Sequence, residues 1–139
     1  MADYDRVKHL ELISKAIERM DKSAATMRAL SPAVLGVAML LIDKDVPAWL
    51  ALGAAAFAIL VYWRQDALFL ARERAFRKLY DQARRGDLDR DPYVMDIRRL
   101  YHTPSLWGCA WVGSIAGVHG PALLLNFLAF LTISLRIWK

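Results

Sequence analysis

Eighteen consecutive residues without a charge, Val46 to Trp63 (VPAWLALGAAAFAILVYW), constrain this chain more than any other feature. At 1.5 Å of rise per residue they form a helix of about 27 Å, close to the ~30 Å thickness of bilayer hydrocarbon. Trp49 near one end and Tyr62-Trp63 at the other suit the two membrane interfaces, and Arg64 stops the run. The other apolar residues are also gathered in blocks. The composition, 57% hydrophobic and 24% charged over 139 residues, therefore describes one small membrane domain with no room for a catalytic domain beside it.

A second apolar block runs from Ala29 to Ile42 and is short for a crossing. The pattern places the start of that helix near Ala24, with Arg28 snorkelling to the headgroups to avoid about 2.5–3.5 kcal/mol for a charge at mid-membrane. Pro32 removes a backbone donor, so it kinks this helix or begins a new one, and the kink leaves a length that crosses. Asp43-Lys44-Asp45 and Val46-Pro47 make a short polar connector, which closes the two spans into an antiparallel hairpin. Pro47 fits the first turn of the second helix, where a missing donor is harmless.

The C-terminal third is apolar again, interrupted by Gly117, Gly120 and Pro121. Pro121 to Ile137 has the length of a third span, with Arg136 and Lys139 at its far edge. Trp107 to Val118 is too short to cross and reads as an interfacial segment leading into that span. A second hairpin bending at Gly120-Pro121 is the competing arrangement.

Charge sets the expected orientation. Arg64 to Arg99 holds ten Lys and Arg, the chain through Arg28 holds six, and the Asp43–Asp45 turn holds one. The positive-inside rule then puts the N-terminal arm and the central segment in the cytoplasm and the turn outside. The first 23 residues carry both charge signs and lack the apolar core of a signal peptide.

Two stretches outside the spans have helical periodicity. In the arm, Val7, Leu10, Ile13, Ile17, Met20 and Ala24 recur at steps of three or four, one face of an amphipathic helix. That face suits packing on the chain's own cytoplasmic helices or on the membrane; a protein partner is the alternative. Beyond Trp63, Phe69, Phe76, Leu79, Tyr80 and Ala83 share one arc. Arg74, Lys78 and Arg85 lie near the opposite side, with Arg77 and Arg84 beside them. The second transmembrane helix is thus expected to continue to Arg85 and end at Gly86 as a C-cap, about 60 Å long in all. Asp87 to Pro92 is the loop after it.

Basic residues along such a stalk have two readings. One is positive-inside asymmetry with the intrahelical pairs Glu73–Arg77 and Asp81–Arg85. The other is a polyanion-binding face made of Arg74, Arg77, Lys78, Arg84 and Arg85, whose charge a ring of subunits would multiply. In the second span Ala51, Gly53, Ala54, Ala55, Ala56 and Ala58 permit close helix packing. Asn126 in the third span requires a polar partner, through an interhelical hydrogen bond or by lining a pore with Thr132 or Ser134.

Catalytic and cofactor motifs are missing from the sequence. It contains no phosphate-binding Walker loop, no GxSxG, no HExxH and no paired cysteines; Cys109 stands alone, and His9, His102 and His119 are scattered. Asp87, Asp89 and Asp91 alternate without completing a calcium loop and read as a solvated turn. No cofactor or metal is therefore expected, nor an enzyme.

The stretch Arg72-Glu73-Arg74-Ala75-Phe76-Arg77-Lys78-Leu79-Tyr80-Asp81 (RERxFRKLYD) follows the hairpin. It precedes Tyr93-Val94-Met95-Asp96 and a last span opening Gly120-Pro121-Ala122-Leu123-Leu124-Leu125. With this layout, from about residue 20 to 135, the chain resembles a family of small bacterial inner-membrane proteins, the membrane effectors of anti-phage defence operons of the Hailong type. The resemblance implies a homo-oligomeric, tetrameric, channel-like assembly. It also implies a partner nucleotidyltransferase whose DNA oligomer holds the effector inactive until infection releases it to depolarise the membrane. No ligand-binding motif of that family can be matched residue by residue, so the five basic stalk residues rest on charge geometry alone.

The expectation is an all-α membrane protein in four parts. These are an N-terminal cytoplasmic amphipathic helix (1–23), a transmembrane hairpin (24–63), a long cytoplasmic basic helix and loop (64–103), and an interfacial segment with a C-terminal transmembrane helix (104–139). The leading function is an oligomeric ion-conducting effector in the bacterial inner membrane, gated by an oligonucleotide. A non-conducting membrane anchor or adaptor that recruits a cytoplasmic protein is the alternative.

Overall fold

The described residues form four α-helices in chain order: α1 (Ala2–Asp43), α2 (Ala48–Arg85), α3 (Leu106–Ala110) and α4 (Gly113–Ile137). The computed structural model describes residues 2–86, 95, 97 and 105–137. The expected loop Asp87–Pro92, its three aspartates, and Tyr93, Val94 and Asp96 lie outside the described residues. Three of the helices, α1, α2 and α4, are long and apolar enough to cross a membrane. The five residues of α3 are too few to do so.

The arm and the first span are one helix, not two joined pieces. The backbone of α1 runs unbroken through Pro32 for 42 residues. It ends in a Schellman arrangement: the Val46 amide donates to the Leu41 carbonyl at 3.1 Å and the Asp45 amide to Ile42 at 3.2 Å. Asp45 takes the left-handed conformation that this motif requires, with φ 63°, which aspartate tolerates better than most side chains. Pro47 immediately precedes α2, one position earlier than expected, and its carbonyl accepts from Leu50 and Ala51.

Around this turn, Ala38 of α1 meets Ala51, Leu52 and Ala55 of α2, flanked by Ala129 and Ile133 of α4. The small residues of the second span thus serve close packing at Ala51 and Ala55, while Gly53 and Ala54 face outward. Contact of Ala129 and Ile133 with this cluster puts the far end of α4 beside the turn. Helix α4 therefore runs alongside α1 and antiparallel to α2.

The third long helix starts earlier than the sequence suggested. It opens at Gly113, after a break at Trp111-Val112, and passes through Gly117, Gly120 and Pro121 without bending back. The second-hairpin arrangement is thereby excluded. Apolar helices packed against neighbours tolerate glycine and proline, so neither residue is a reliable stop signal in them.

Beyond the bundle, α2 continues as a stalk to Arg85. Gly86 caps it as expected, with φ 82° and its amide bonded to the Ala83 carbonyl at 3.3 Å. The arm lies against this stalk: Ile13 packs with Leu79 and Ala83, joined by Leu10, Ile17, Phe76 and Tyr80. The apolar stripe of the arm is thus used within the chain, although Val7 at its start remains exposed. Arg6 adds a hydrogen bond to the Arg84 carbonyl, a cation on the exposed carbonyls of a helix end.

Candidate functional site

Where α1, α2 and α4 meet at the stalk end of the bundle, four polar side chains form a closed cluster. Arg28 and Ser31 are three residues apart on α1 and so share a face. Asp66 comes from α2 and His119 from α4. Arg28 donates twice to Asp66, from Nε to Oδ2 at 2.8 Å and from Nη2 to Oδ1 at 3.2 Å. His119 Nε2 lies 3.2 Å from the same Oδ2, and its Nδ1 lies 2.7 Å from Ser31 Oγ. Asp66, His119 and Ser31 are 0% exposed. The Arg28 side chain is 27% exposed and reaches the surface.

The hydrogen bonds constrain the protons. An ionised Asp66 only accepts, so Nε2 of His119 carries hydrogen and donates to it. In the neutral ring Nδ1 then accepts from the Ser31 hydroxyl; in the imidazolium it donates to that hydroxyl instead. Trp63 covers the imidazole, stacked at 6.0 Å between ring centroids and 17° between planes. Its indole Nε1 is anchored on the Ala110 carbonyl at 2.9 Å, and Trp111 packs edge-on against it at 5.6 Å. No described buried side-chain nitrogen or oxygen lacks a hydrogen-bond partner. Among the described residues no group of three or more His, Cys, Asp or Glu could hold a metal.

This pairing gives Arg28 a partner that its sequence position did not disclose. The guanidinium holds Asp66 in fork geometry. The sequence reading missed Asp66, His119 and Ser31 as partners. Each follows or sits within an apolar run, and an ionisable side chain in such a run is the available signal. Their separations of 38, 53 and 88 residues along the chain hid the cluster itself. At 1.5 Å per residue, Asp66 lies about 27 Å along α2 from its start, at the edge of the hydrocarbon thickness.

The basic residues nominated from the sequence occupy the stalk. Arg74, Arg77, Lys78, Arg84 and Arg85 are all exposed and lie away from the face that carries Leu79 and Ala83. Arg77 forms the expected pair with Glu73, Nη2 to Oε1 at 2.7 Å. Arg74 reaches the Cys109 thiol at 3.8 Å, which ties α3 to the stalk. The expected Asp81–Arg85 pair is not formed; both side chains point outward.

Of the two pore-lining candidates Asn126 and Thr132, Asn126 is buried and donates from Nδ2 to the Leu52 carbonyl at 3.3 Å. Thr132 is exposed and bonds back to Leu128 and Ala129 on its own helix. The single chain brings neither to a channel; Thr132 faces outward, and Asn126 lines a groove between α2 and α4 with Gly53 and Phe127. No protein-family model, no curated protein and no solved structure matches this chain.

Proposed function

We propose that this chain is the subunit of an oligomeric, ion-conducting effector of the bacterial inner membrane. In this reading an oligonucleotide on the basic stalk face holds it shut, and its release lets ions through to depolarise the membrane. The continuity of α2 carries the reading. One helix presents Arg74, Arg77, Lys78, Arg84 and Arg85 on its exposed part and ties itself to α1 and α4 through Asp66 in the bundle. A ligand held on the stalks therefore acts on the membrane helices with no flexible joint between. The excess of Lys and Arg in the arm and stalk supports a cytoplasmic placement for both.

Gating sets an energetic requirement. A shift from 1:99 to 99:1 needs about 5.5 kcal/mol of differential affinity between the closed and open states. Phosphates bridging the stalks of adjacent subunits in a tetramer offer several charge-assisted contacts toward that figure, with the salt dependence of polyanion binding. A nucleotidyltransferase would supply the DNA oligomer. The anchor reading draws less support, because α2 already engages the centre of the arm's apolar stripe at Leu10, Ile13 and Ile17.

The test is single-channel recording on the purified full chain in planar bilayers, with and without a short single-stranded DNA. The expected result is a conductance that DNA suppresses, with suppression lost in the triple variant Arg74→Ala, Lys78→Ala, Arg85→Ala while the conductance persists. The triple variant's salt slope of DNA affinity should fall by about 0.7 per phosphate contact removed. Bilayers that stay silent, or DNA affinity unchanged across the salt series, would overturn the reading.

A further inference from the structure

Beside the polar cluster lies an apolar groove of about 480 Å³, between α2 and the α3 segment that folds back on it. Leu60 and Trp63 form one wall, Trp107, Ala110 and Trp111 the other, and Arg64 stands at the rim. The geometry points to an anionic phospholipid as the occupant, with one acyl chain in the groove and its phosphate on Arg64. This inference stands independently of ion conduction and of oligonucleotide binding.

Depth is the first argument. Leu60 lies about 18 Å along α2 from its start and Arg64 about 24 Å. The groove therefore runs from inside the hydrocarbon toward its edge, and the long Arg64 side chain can snorkel to the headgroup phosphates just beyond. Charge is the second. At this end of the bundle Arg28 is neutralised by Asp66, and farther out Arg77 is neutralised by Glu73. Arg64 is exposed and makes no ion pair or hydrogen bond with any described residue. Trp107 and Trp111 are 74% and 66% exposed, and among the described residues no partner takes their indole N–H groups, which can donate to a phosphate or an ester carbonyl.

A second copy of the chain fits this groove less well. Among the described residues Asp66 is the single acid at that depth, and Arg28 and His119 already occupy it. Among the described residues a neighbouring subunit thus offers no uncommitted carboxylate at the depth of Arg64.

The full chain, reconstituted in phosphatidylcholine vesicles, should be titrated with phosphatidylglycerol brominated in its acyl chain, and in parallel with brominated phosphatidylcholine. In a Trp49→Phe, Trp138→Phe background, quenching of tryptophan fluorescence reads occupancy beside Trp63, Trp107 and Trp111. One basic residue at a membrane surface supports a preference of about fivefold for the anionic lipid. Arg64→Gln should abolish that preference, and Ala110→Leu, which fills the groove, should weaken quenching by both lipids. Arg72→Gln, an exposed arginine farther along the stalk, should change neither. Equal quenching by the two lipids in the native chain, or an equal loss of preference in Arg72→Gln and Arg64→Gln, would reduce the groove to ordinary lipid contact and overturn the assignment.

Discussion

Asp66 and Glu73 sit two turns apart on α2 and hold their charge in different ways. Asp66 receives donors from two other helices, 38 residues before it and 53 residues after it. Glu73 pairs with Arg77 on its own helix and, among the described residues, bridges to no other helix. The surroundings explain the contrast. Lipid tails are as apolar as leucine, so burial against lipid gives the spans little reason to choose one another, and polar bonds and close contacts at small residues set the register. Along the stalk the arm and α2 associate through an apolar stripe, as helices do in water. The stalk's charged groups are then left facing outward, where a ligand can use them.

The sharpest way to break this comparison is to remove Asp66. In Asp66→Leu the Arg28 guanidinium loses its counter-charge. The bundle should lose about 3 kcal/mol, at the low end for a broken buried pair because Arg28 reaches the surface. Unfolding in mixed detergent micelles, followed by circular dichroism, measures it. Adding Arg28→Met should recover part of the loss by removing the uncompensated charge. A single variant as stable as the native chain would mean that the cluster does not organise the bundle.

The corresponding variant in the stalk is Ile13→Ala, which empties the centre of the contact between arm and α2. The expected cost is about 2–3 kcal/mol, confined to the arm. Faster amide exchange in residues 5–20, with the exchange of the spans unchanged, would separate the two regions as the comparison requires. Exchange that accelerates throughout would show the arm and bundle to be one cooperative unit.

How far the sequence discloses the molecule follows the same division. Local signals suffice where one segment decides the outcome: the uncharged run of α2, the period of three and four in the arm, and Gly86 where the helix must turn. They mislead at Gly120-Pro121, since the usual breakers do not break a helix whose neighbours and surroundings favour it. They leave Asp66, His119 and Ser31 unconnected, because nothing in a single sequence encodes which residues meet across three helices. The stalk arginines could be nominated from periodicity because their exposure depends on one helix face alone.

The smallest expected effect concerns an exposed pair on the arm. Lys22 lies 2.6 Å from Glu18, one turn earlier. The side-chain hydrogen bond, and then the charge attraction, lower the pKa of Glu18 and raise that of Lys22. Any stabilisation by Glu18 is present above the ordinary carboxylate range and lost as pH falls through its lowered value. Any stabilisation by Lys22 is present below the ordinary lysine range and lost as pH rises through its raised value. Lys22→Ala should therefore move the Glu18 titration upward in a carboxyl NMR experiment and leave the thermal midpoint unchanged, since exposed pairs contribute little. A marked drop in the midpoint would mean that surface pairs also organise the arm.

The uninterrupted length of α2 has one more consequence. Its 38 residues make a rod of about 57 Å, with one end at the Asp43–Asp45 turn and the other at Gly86. A 5° tilt about the turn displaces the Gly86 end by about 5 Å while the helix ladder stays intact. At Asp66, about halfway along, the same tilt amounts to about 2 Å, enough to strain its hydrogen bonds to Arg28 and His119. The rod is thus a lever with its latch near the midpoint, so a pull at the far tip is felt at the cluster with roughly twofold mechanical advantage.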